Sequence, residues 1–222
     1  MIDRPLTLDA VGHVLRSAGL LREMRGPGDV AVLGVSQDSR SVRPGDLFLA
    51  WKGTTVDAHD HVGAAGRAGA VAAVVERPVE ASLPLLVVSD GRSAGAVAAQ
   101  AVMGDPSRRL FLVGITGTNG KTTTAMLVRH LLAARGPCAV VGTLGLVDAD
   151  GVRPGTEGLT TPGPVQLAAW LRQLADEGVA TVAMEASSHA LEQRRLDGVH
   201  FAAGVFTNLT QDHLDYHGDL AS

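Results

Sequence analysis

The stretch GITGTNGKTTT, Gly114 to Thr124, sets a lysine and three threonines behind a turn built on Gly114, Gly117 and Gly120. A phosphate needs backbone N–H groups, a helix N-terminus and an ammonium, and such a turn supplies all three. Thr122 adds a hydroxyl suited to Mg2+. Gly117 and Gly120 let the backbone approach a ligand closely. The strict spacing G-x-x-x-x-G-K-[ST] is not met, because its first glycine would fall at Ile115. The stretch therefore reads as a variant phosphate loop. Its alternative is a glycine-rich strand-to-helix turn with an incidental lysine.

Three further stretches carry chemistry-bearing residues. In MEASSHALEQRR, Glu185 can hold Mg2+ directly or through water, or be a surface acid. The serine pair and His189 can cap the next helix, and Arg194 and Arg195 can bind an anion or be solvated. In NLTQDHLDYHG, His213 and His217 stand four apart, which resembles half a zinc site, but no glutamate fills the H-E-x-x-H position and no third ligand is evident. A single histidine beside Mg2+ or substrate, or at a helix cap, fits better. In DSRSVRPGDLFLAWKGTTVDAHD, the Ser-Arg and Lys-Gly-Thr-Thr turns could line a pocket for a phosphorylated sugar nucleotide. From the residues alone it reads as a structural hairpin.

The elements that position these residues follow from periodicity. TLDAVGHVLRSAG predicts a helix capped by Thr7 and stopped by Gly19. Strands are predicted at Val30–Val35 and Asp46–Trp51 around a turn at Pro44-Gly45, then at AVAAVV and LPLLVVS, with helices near Asp60–Ala68 and over Ser93–Met103. GDPSRRL breaks the pattern and divides the chain into domains 1–106 and 107–222. In the second, LFLVGIT, AVVGTLG, ATVAMEASSH and HFAAGVFTN read as strands. KTTTAMLVRHLLAARG and Val165–Glu177 read as helices, and GVRPGTEGLTTPGP as a loop. This alternation predicts an α/β fold: an N-terminal α/β domain, then an incomplete doubly wound parallel sheet of P-loop type. Ligands bind at the C-terminal strand edge of such sheets, where Thr116–Thr122, Glu185–His189 and Asn208–His213 fall.

Bulk properties narrow the function. The 222 residues are 45% hydrophobic and only 3% aromatic, so the core rests on Ala, Val and Leu. A net charge of −4 argues against a nucleic-acid groove. Cys138 is the single cysteine and allows no internal disulfide, in keeping with a reducing compartment. MIDRPLTLDA lacks the apolar core of a signal peptide. The longest apolar run, Ala68 to Val75, is too short to span a bilayer. A soluble cytoplasmic protein without a membrane partner is expected.

The stretches GITGTNGKTTT, TTPGP, MEASSHALEQRR, VFTNLTQDHLDYHGD and DSRSVRPGDLFLAWKG occur in the order seen in the Mur ligases of peptidoglycan synthesis. Over nearly its whole length the chain resembles their MurE type, the ligases that add the third peptide residue to UDP-N-acetylmuramoyl-L-alanyl-D-glutamate. TGTNGKT alone would also suit folylpolyglutamate synthases and other Mur ligases. A non-catalytic nucleotide-binding fragment is the alternative from another class. The resemblance implies a three-domain, ATP-dependent amide ligase acting through an acyl phosphate. Its partners are the UDP-N-acetylmuramoyl dipeptide and an amino acid, diaminopimelate or lysine, and a monomer is expected.

By the same resemblance, Gly117, Thr118, Asn119, Gly120, Lys121, Thr122 and Thr123 bind ATP. Thr122 and Glu185 ligate one magnesium ion, and His213 neighbours a second, with Asn208 beside it. Lys121, Glu185 and His213 are the expected catalytic residues. Thr160, Thr161, Ser187, Gln193 and Arg195 hold the muramoyl peptide, and Ser39 with Thr54, Thr55 and Val56 holds the uridine nucleotide. A lysine that becomes carbamylated is expected beyond the His-Gly-Asp stretch, as is an amino-acid-binding domain. The sequence is thus expected to be a truncated, inactive form of the ligase.

Overall fold

The computed structural model describes residues 5–155 and 158–210. Two compact units emerge. Unit 1 takes the chain up to Pro106 with Gly163–Arg172 and Gln193–Val199; unit 2 takes Ser107–Pro162, Gln173–Glu192 and the chain from His200.

In unit 1, β1 (Leu6–Thr7) leads into α1 (Leu8–Ser17), whose Thr7 cap accepts the Ala10 N–H at 3.3 Å, as predicted. Next come β2 (Leu21–Arg25), β3 (Ala31–Val32), β4 (Gly34–Ser36), β5 (Asp46–Leu49), α2 (Val62–Ala68), β6 (Ala72–Val75), β7 (Leu85–Val88) and α3 (Gly91–Val102). A small antiparallel pair joins β1 to β3; the main sheet runs β2-β7-β6-β5-β4. Strands β4 to β7 are parallel, and β2 closes the edge antiparallel to β7. Every residue of β5, β6 and β7 is buried, as expected for strands covered on both faces.

The hairpin expected around Pro44-Gly45 is not formed. β4 and β5 pair in parallel, Gly34 opposite Asp46. The nine residues between them cross back along the sheet, with Asp46 accepting the Arg43 N–H at 2.8 Å. The functional consequence is that the segments after β4 and after β5 leave the same, C-terminal edge.

Unit 2 contains β8 (Phe111–Thr116), α4 (Lys121–Leu132), β9 (Cys138–Gly142), β10 (Gly145–Asp148), β11 (Gly151–Arg153), β12 (Thr181–Glu185), α6 (Ser188–Glu192) and β13 (Ala203–Phe206). Helix α5 (Pro164–Asp176) begins at the predicted proline. The sheet order is β11-β10-β9-β12-β8-β13. β9, β12, β8 and β13 are parallel, and β10 and β11 extend the edge antiparallel. The strand expected at AVVGTLG stops at Gly142: a turn at Thr143-Leu144 separates it from β10, which shares only Gly145 with that stretch. A second turn at Ala149-Asp150 leads into β11, which lies in the segment expected to be a loop. β12 and β13 flank β8 on opposite sides, with Glu185 opposite Ile115 and Phe206 opposite Thr116. Their C-terminal ends therefore converge on the turn that follows β8. Val113, Ile115, Ala125, Val140, Val147 and Ala183 form the core beneath it. At its far end, α4 is fastened by Arg129, whose Nε donates to the Cys138 carbonyl (3.3 Å) and Nη2 to the Asp148 carbonyl (2.9 Å).

Candidate active site

The turn after β8 is held open by glycine. Gly117 has φ +129, and a Cβ there would collide with Thr207 Oγ1 and lie 2.7 Å from the Asn208 carbonyl. Gly120 starts α4 in the left-handed region, φ +84, and no side chain caps the helix. The first-turn N–H groups at Lys121, Thr122 and Thr123 thus keep their pull on an anion. Lys121 Nζ donates to the carbonyls of Gly117 (2.7 Å) and Thr118 (2.9 Å), which seats the ammonium on the loop with one of its three N–H groups left over.

The segment leaving β13 braces the turn. Asn208 engages both backbone groups of Asn119: Oδ1 accepts its N–H at 3.1 Å and Nδ2 donates to its carbonyl at 3.0 Å. Thr207 Oγ1 donates to the same carbonyl at 2.8 Å. Thr118 Oγ1 donates to the Thr210 carbonyl (3.1 Å) and accepts the Thr210 N–H (3.0 Å). Asn208, expected beside a metal, here spends its amide on the loop.

Glu185, at the end of β12, is 1% exposed. Its Oε2 accepts the Thr122 hydroxyl at 3.0 Å and the Thr143 hydroxyl at 3.2 Å, while Oε1 accepts the Thr143 N–H at 3.0 Å. No lysine, arginine or histidine pairs with it among the described residues. A buried carboxylate without a cation costs several kcal/mol on an order-of-magnitude scale. A hard divalent ion between Thr122 and Glu185 would offset that cost, and an oxygen-only donor set is what Mg2+ takes. Thr160 Oγ1 stands 3.4 Å from Thr143 Oγ1. Thr161, fully buried, donates to the Glu185 carbonyl (2.8 Å) and accepts the Ser187 N–H (3.0 Å). Ser187 Oγ in turn accepts the Ala190 N–H at 3.2 Å, capping α6. Thr122, Thr143, Thr160, Thr161, Glu185 and Ser187 are thus one connected cluster, with Lys121 next to Thr122 in the chain and turned onto the loop carbonyls. Thr123 lies exposed on the first turn of α4. His213 and His217 lie outside the described residues.

The remaining expected site residues belong to unit 1. Ser39 sits in the turn after β4, between Asp38 and Arg40. Arg40 Nη2 pairs with Asp38 Oδ2 at 2.7 Å, and the guanidinium, followed by the Arg40 backbone N–H, holds the Asp38 carboxyl down at about 2. Ser36 Oγ donates to the Asp38 carbonyl (2.9 Å) and lies 3.1 Å from Ser41 Oγ, bracing the turn from inside. Thr54, Thr55 and Val56 form the exposed tip of the loop after β5. Gln193 Oε1 accepts Arg195 Nε at 3.0 Å and Nη2 at 2.5 Å. Arg194, between them, has φ +59, a conformation a side chain rarely adopts.

Comparison with known proteins gives this geometry a family. The Mur ligase middle domain matches residues 115–222, and the Mur ligase family catalytic domain matches residues 31–112. This chain belongs to the Mur ligase family. A UDP-N-acetylmuramoyl-L-alanyl-D-glutamate--2,6-diaminopimelate ligase from Geobacillus thermodenitrificans is 46% identical over 194 residues, 87% of this chain and 39% of that protein. The chain thus spans about two fifths of the length of this curated relative. A solved structure of a ligase of the same name superposes with a TM-score of 0.83 at 29% identity, covering 98% of this chain and 43% of the other. The MurF ligase of Thermotoga maritima, solved in complex with ADP, superposes with a TM-score of 0.58 at 26% identity over 85% of this chain and 40% of its own.

Several residues that shape the Mur ligase site escaped the sequence reading. Thr143 supplies two of the bonds to Glu185, and Gly142 leaves the room: a Cβ there would overlap Glu185 Oε1. Their signal was the Gly-Thr pair inside AVVGTLG, at the end of the strand beside the one that carries Glu185. Thr207 and Thr210 flank Asn208, and only the strand order reveals that they face the loop. Among the described residues, no helix is long and apolar enough to cross a membrane, and no cluster of three His, Cys, Asp or Glu residues could hold a metal.

Proposed function

We propose that this chain is the substrate- and ATP-binding part of a ligase of the MurE type. In this reading the ligase joins a diamino acid, diaminopimelate as in the names of its curated relatives, to UDP-N-acetylmuramoyl-L-alanyl-D-glutamate. Residues 1–106 would serve the sugar nucleotide and 107–222 the ATP. The observation that carries the reading is the Thr122–Glu185 contact at the mouth of a loop already holding Lys121. The setting would be the cytoplasm, where ATP and the sugar nucleotide are available. A monomer suffices, because Lys121, Thr122 and Glu185 come from one chain.

The residue types suit the reaction. The substrate's D-Glu carboxylate attacks the γ-phosphorus of ATP; a P–O bond forms to the carboxylate as the bond to ADP breaks. The amine of the incoming amino acid then attacks the acyl carbon, inorganic phosphate leaves, and the amine gives up a proton. In the first step two anions must meet. Lys121 and the uncapped start of α4 lower that repulsion by placing fixed positive charge at the γ-phosphate. Thr122 and Glu185 would hold Mg2+, which when bound neutralises phosphate charge. Thr143 fixes the Glu185 carboxylate, and the Thr161–Ser187 pair fixes the backbone that carries it. Ser39, Thr54–Val56, Thr160, Thr161, Ser187, Gln193 and Arg195 are the substrate contacts in this reading.

Calorimetric titration of the chain with Mg·ATP and, separately, with UDP-N-acetylmuramoyl-L-alanyl-D-glutamate tests it. Both should bind. A chain that takes ATP and ignores the sugar nucleotide is a nucleotide-binding module of another kind.

A further inference from the structure

His59 is buried at 4% exposure in unit 1, and both its ring nitrogens are engaged. Nε2 lies 2.9 Å from the backbone N–H of Glu76, which can only donate. Nε2 is therefore the unprotonated nitrogen, and Nδ1 carries the proton toward Asp57 Oδ1 at 2.5 Å. The same Asp57 oxygen accepts the His59 backbone N–H at 3.0 Å, and Oδ2 accepts Arg77 Nη2 at 3.2 Å. These bonds hold the Asp57 carboxyl well below the usual carboxylate range, the His59 ring contributing most.

Asp57 is one foot of the loop after β5, and Lys52 is the other; the two pair across the loop's base. The Gly53 N–H donates to the Val56 carbonyl at 2.9 Å and closes the tip. Glu76, at the end of β6, grips both feet. Its backbone N–H holds His59, and its Oε2 accepts the Lys52 N–H at 3.0 Å. The loop base is thus fixed to the sheet from two sides. At the tip, the Thr54 and Thr55 hydroxyls have no partner among the described residues.

Glu76 also removes a competing site. Its Oε1 accepts the Gly91 N–H at 3.0 Å and Asp90 accepts the Ser93 N–H at 3.0 Å, so two carboxylates already satisfy the start of α3. A diphosphate would meet negative charge there. At this edge the loop after β5 offers what α3 does not: free hydroxyls on a fixed frame, and the exposed Lys52 ammonium at its foot.

We propose that His59 is a positioning residue for sugar-nucleotide binding, locking Asp57 to the Glu76 strand end so that Thr54–Val56 meets a nucleoside diphosphate sugar already in its bound shape. This rests on the reading of that tip as part of the sugar-nucleotide site. The test titrates the chain, wild type and His59→Leu, with UDP-N-acetylmuramoyl-L-alanyl-D-glutamate and with Mg·ATP, and follows amide exchange over Gly53–Val56. His59→Leu should weaken the sugar nucleotide about tenfold and speed exchange at the tip, with ATP affinity unchanged. His59→Gln, which keeps an acceptor for the Glu76 N–H, should recover part of the loss. Asp57→Asn, which keeps the shape, serves if His59→Leu does not fold, and should show a smaller loss in the same direction. Folded variants binding the sugar nucleotide like wild type overturn the proposal. If Thr55→Ala then still weakens binding, the site reading survives without it. A wild-type chain that binds ATP and not the sugar nucleotide brings down both.

Discussion

The Thr122 hydroxyl donates to Glu185 Oε2 across 3.0 Å, joining the first turn of α4 to the end of β12. Two oxygens that share a proton at this distance can share a cation instead. Glu185→Gln keeps the shape and removes the charge. It should lower Mg·ATP affinity by tenfold or more on an order-of-magnitude scale, leaving ATP binding in EDTA nearly unchanged. Titrations with and without chelator read the difference; equal losses in both would assign Glu185 to the loop and not to the metal.

Gly142 decides whether that carboxylate has a place. Its missing Cβ is the space Glu185 Oε1 occupies. Gly142→Ala should push the carboxylate off the Thr143 N–H and destabilise the fold by about 1–3 kcal/mol, with metal-dependent nucleotide binding lost in parallel. Urea denaturation and a Mg2+ titration on the same variant check the two effects together.

Asn208→Ala removes both bonds to the Asn119 backbone. The site is open enough for water to replace the amide, so the stability cost should stay near the low end of about 1–3 kcal/mol. The loop loses its brace, and the ATP dissociation rate should rise more than the association rate changes, measurable by stopped flow with a fluorescent ATP analogue.

The Asp38–Arg40 pair makes a pH prediction. The folded carboxyl titrates at about 2, below its ordinary value of 3.8. The stabilisation is complete above pH ~4 and disappears as the pH falls through about 2. The pair is exposed, so it contributes at most about 1 kcal/mol. Carboxyl NMR should find the low midpoint, and Arg40→Met should raise it only part of the way to the ordinary range, because the residue-40 N–H still donates to the carboxyl.

Arg194 holds φ +59 between Gln193 and Arg195. Glycine adopts that conformation without the side-chain penalty of about 1–2 kcal/mol, less roughly 0.5–1 kcal/mol of added unfolded-state entropy. Arg194→Gly should therefore stabilise the chain by up to about 1 kcal/mol, seen as a higher thermal midpoint.

What the sequence disclosed and what it hid have physical reasons. β5, β6 and β7 were legible because strands buried on both faces spell continuous apolar runs. β2 was not, because LREMR carries three charges and buries only Leu21 and Met24 in part. The parallel pairing of β4 and β5 was hidden behind Pro44-Gly45, whose local chemistry favours a turn whichever way the chain then runs. Lys121, Thr122 and Glu185 announce themselves by type and spacing. Thr143, Thr207 and His59 act through contacts between 17 and 91 residues away in the chain, and only the strand order brings those partners near.

The two carbonyls gripped by Arg129 fix the tail of α4, while its head carries Lys121 and Thr122. A rod clamped at one end and seated on a sheet cannot slide along its axis. Any travel that a ligand at this turn would bring must then be taken up ahead of the rod, in the four-residue collar from Gly117 to Gly120. The two glycines with positive φ stand at the ends of that collar like the pins of a hinge. Stiffening the Gly120 pin, where a Cβ would meet nothing, would leave the helix in register with the sheet, whereas a side chain at Gly117 would press on Thr207 and Asn208.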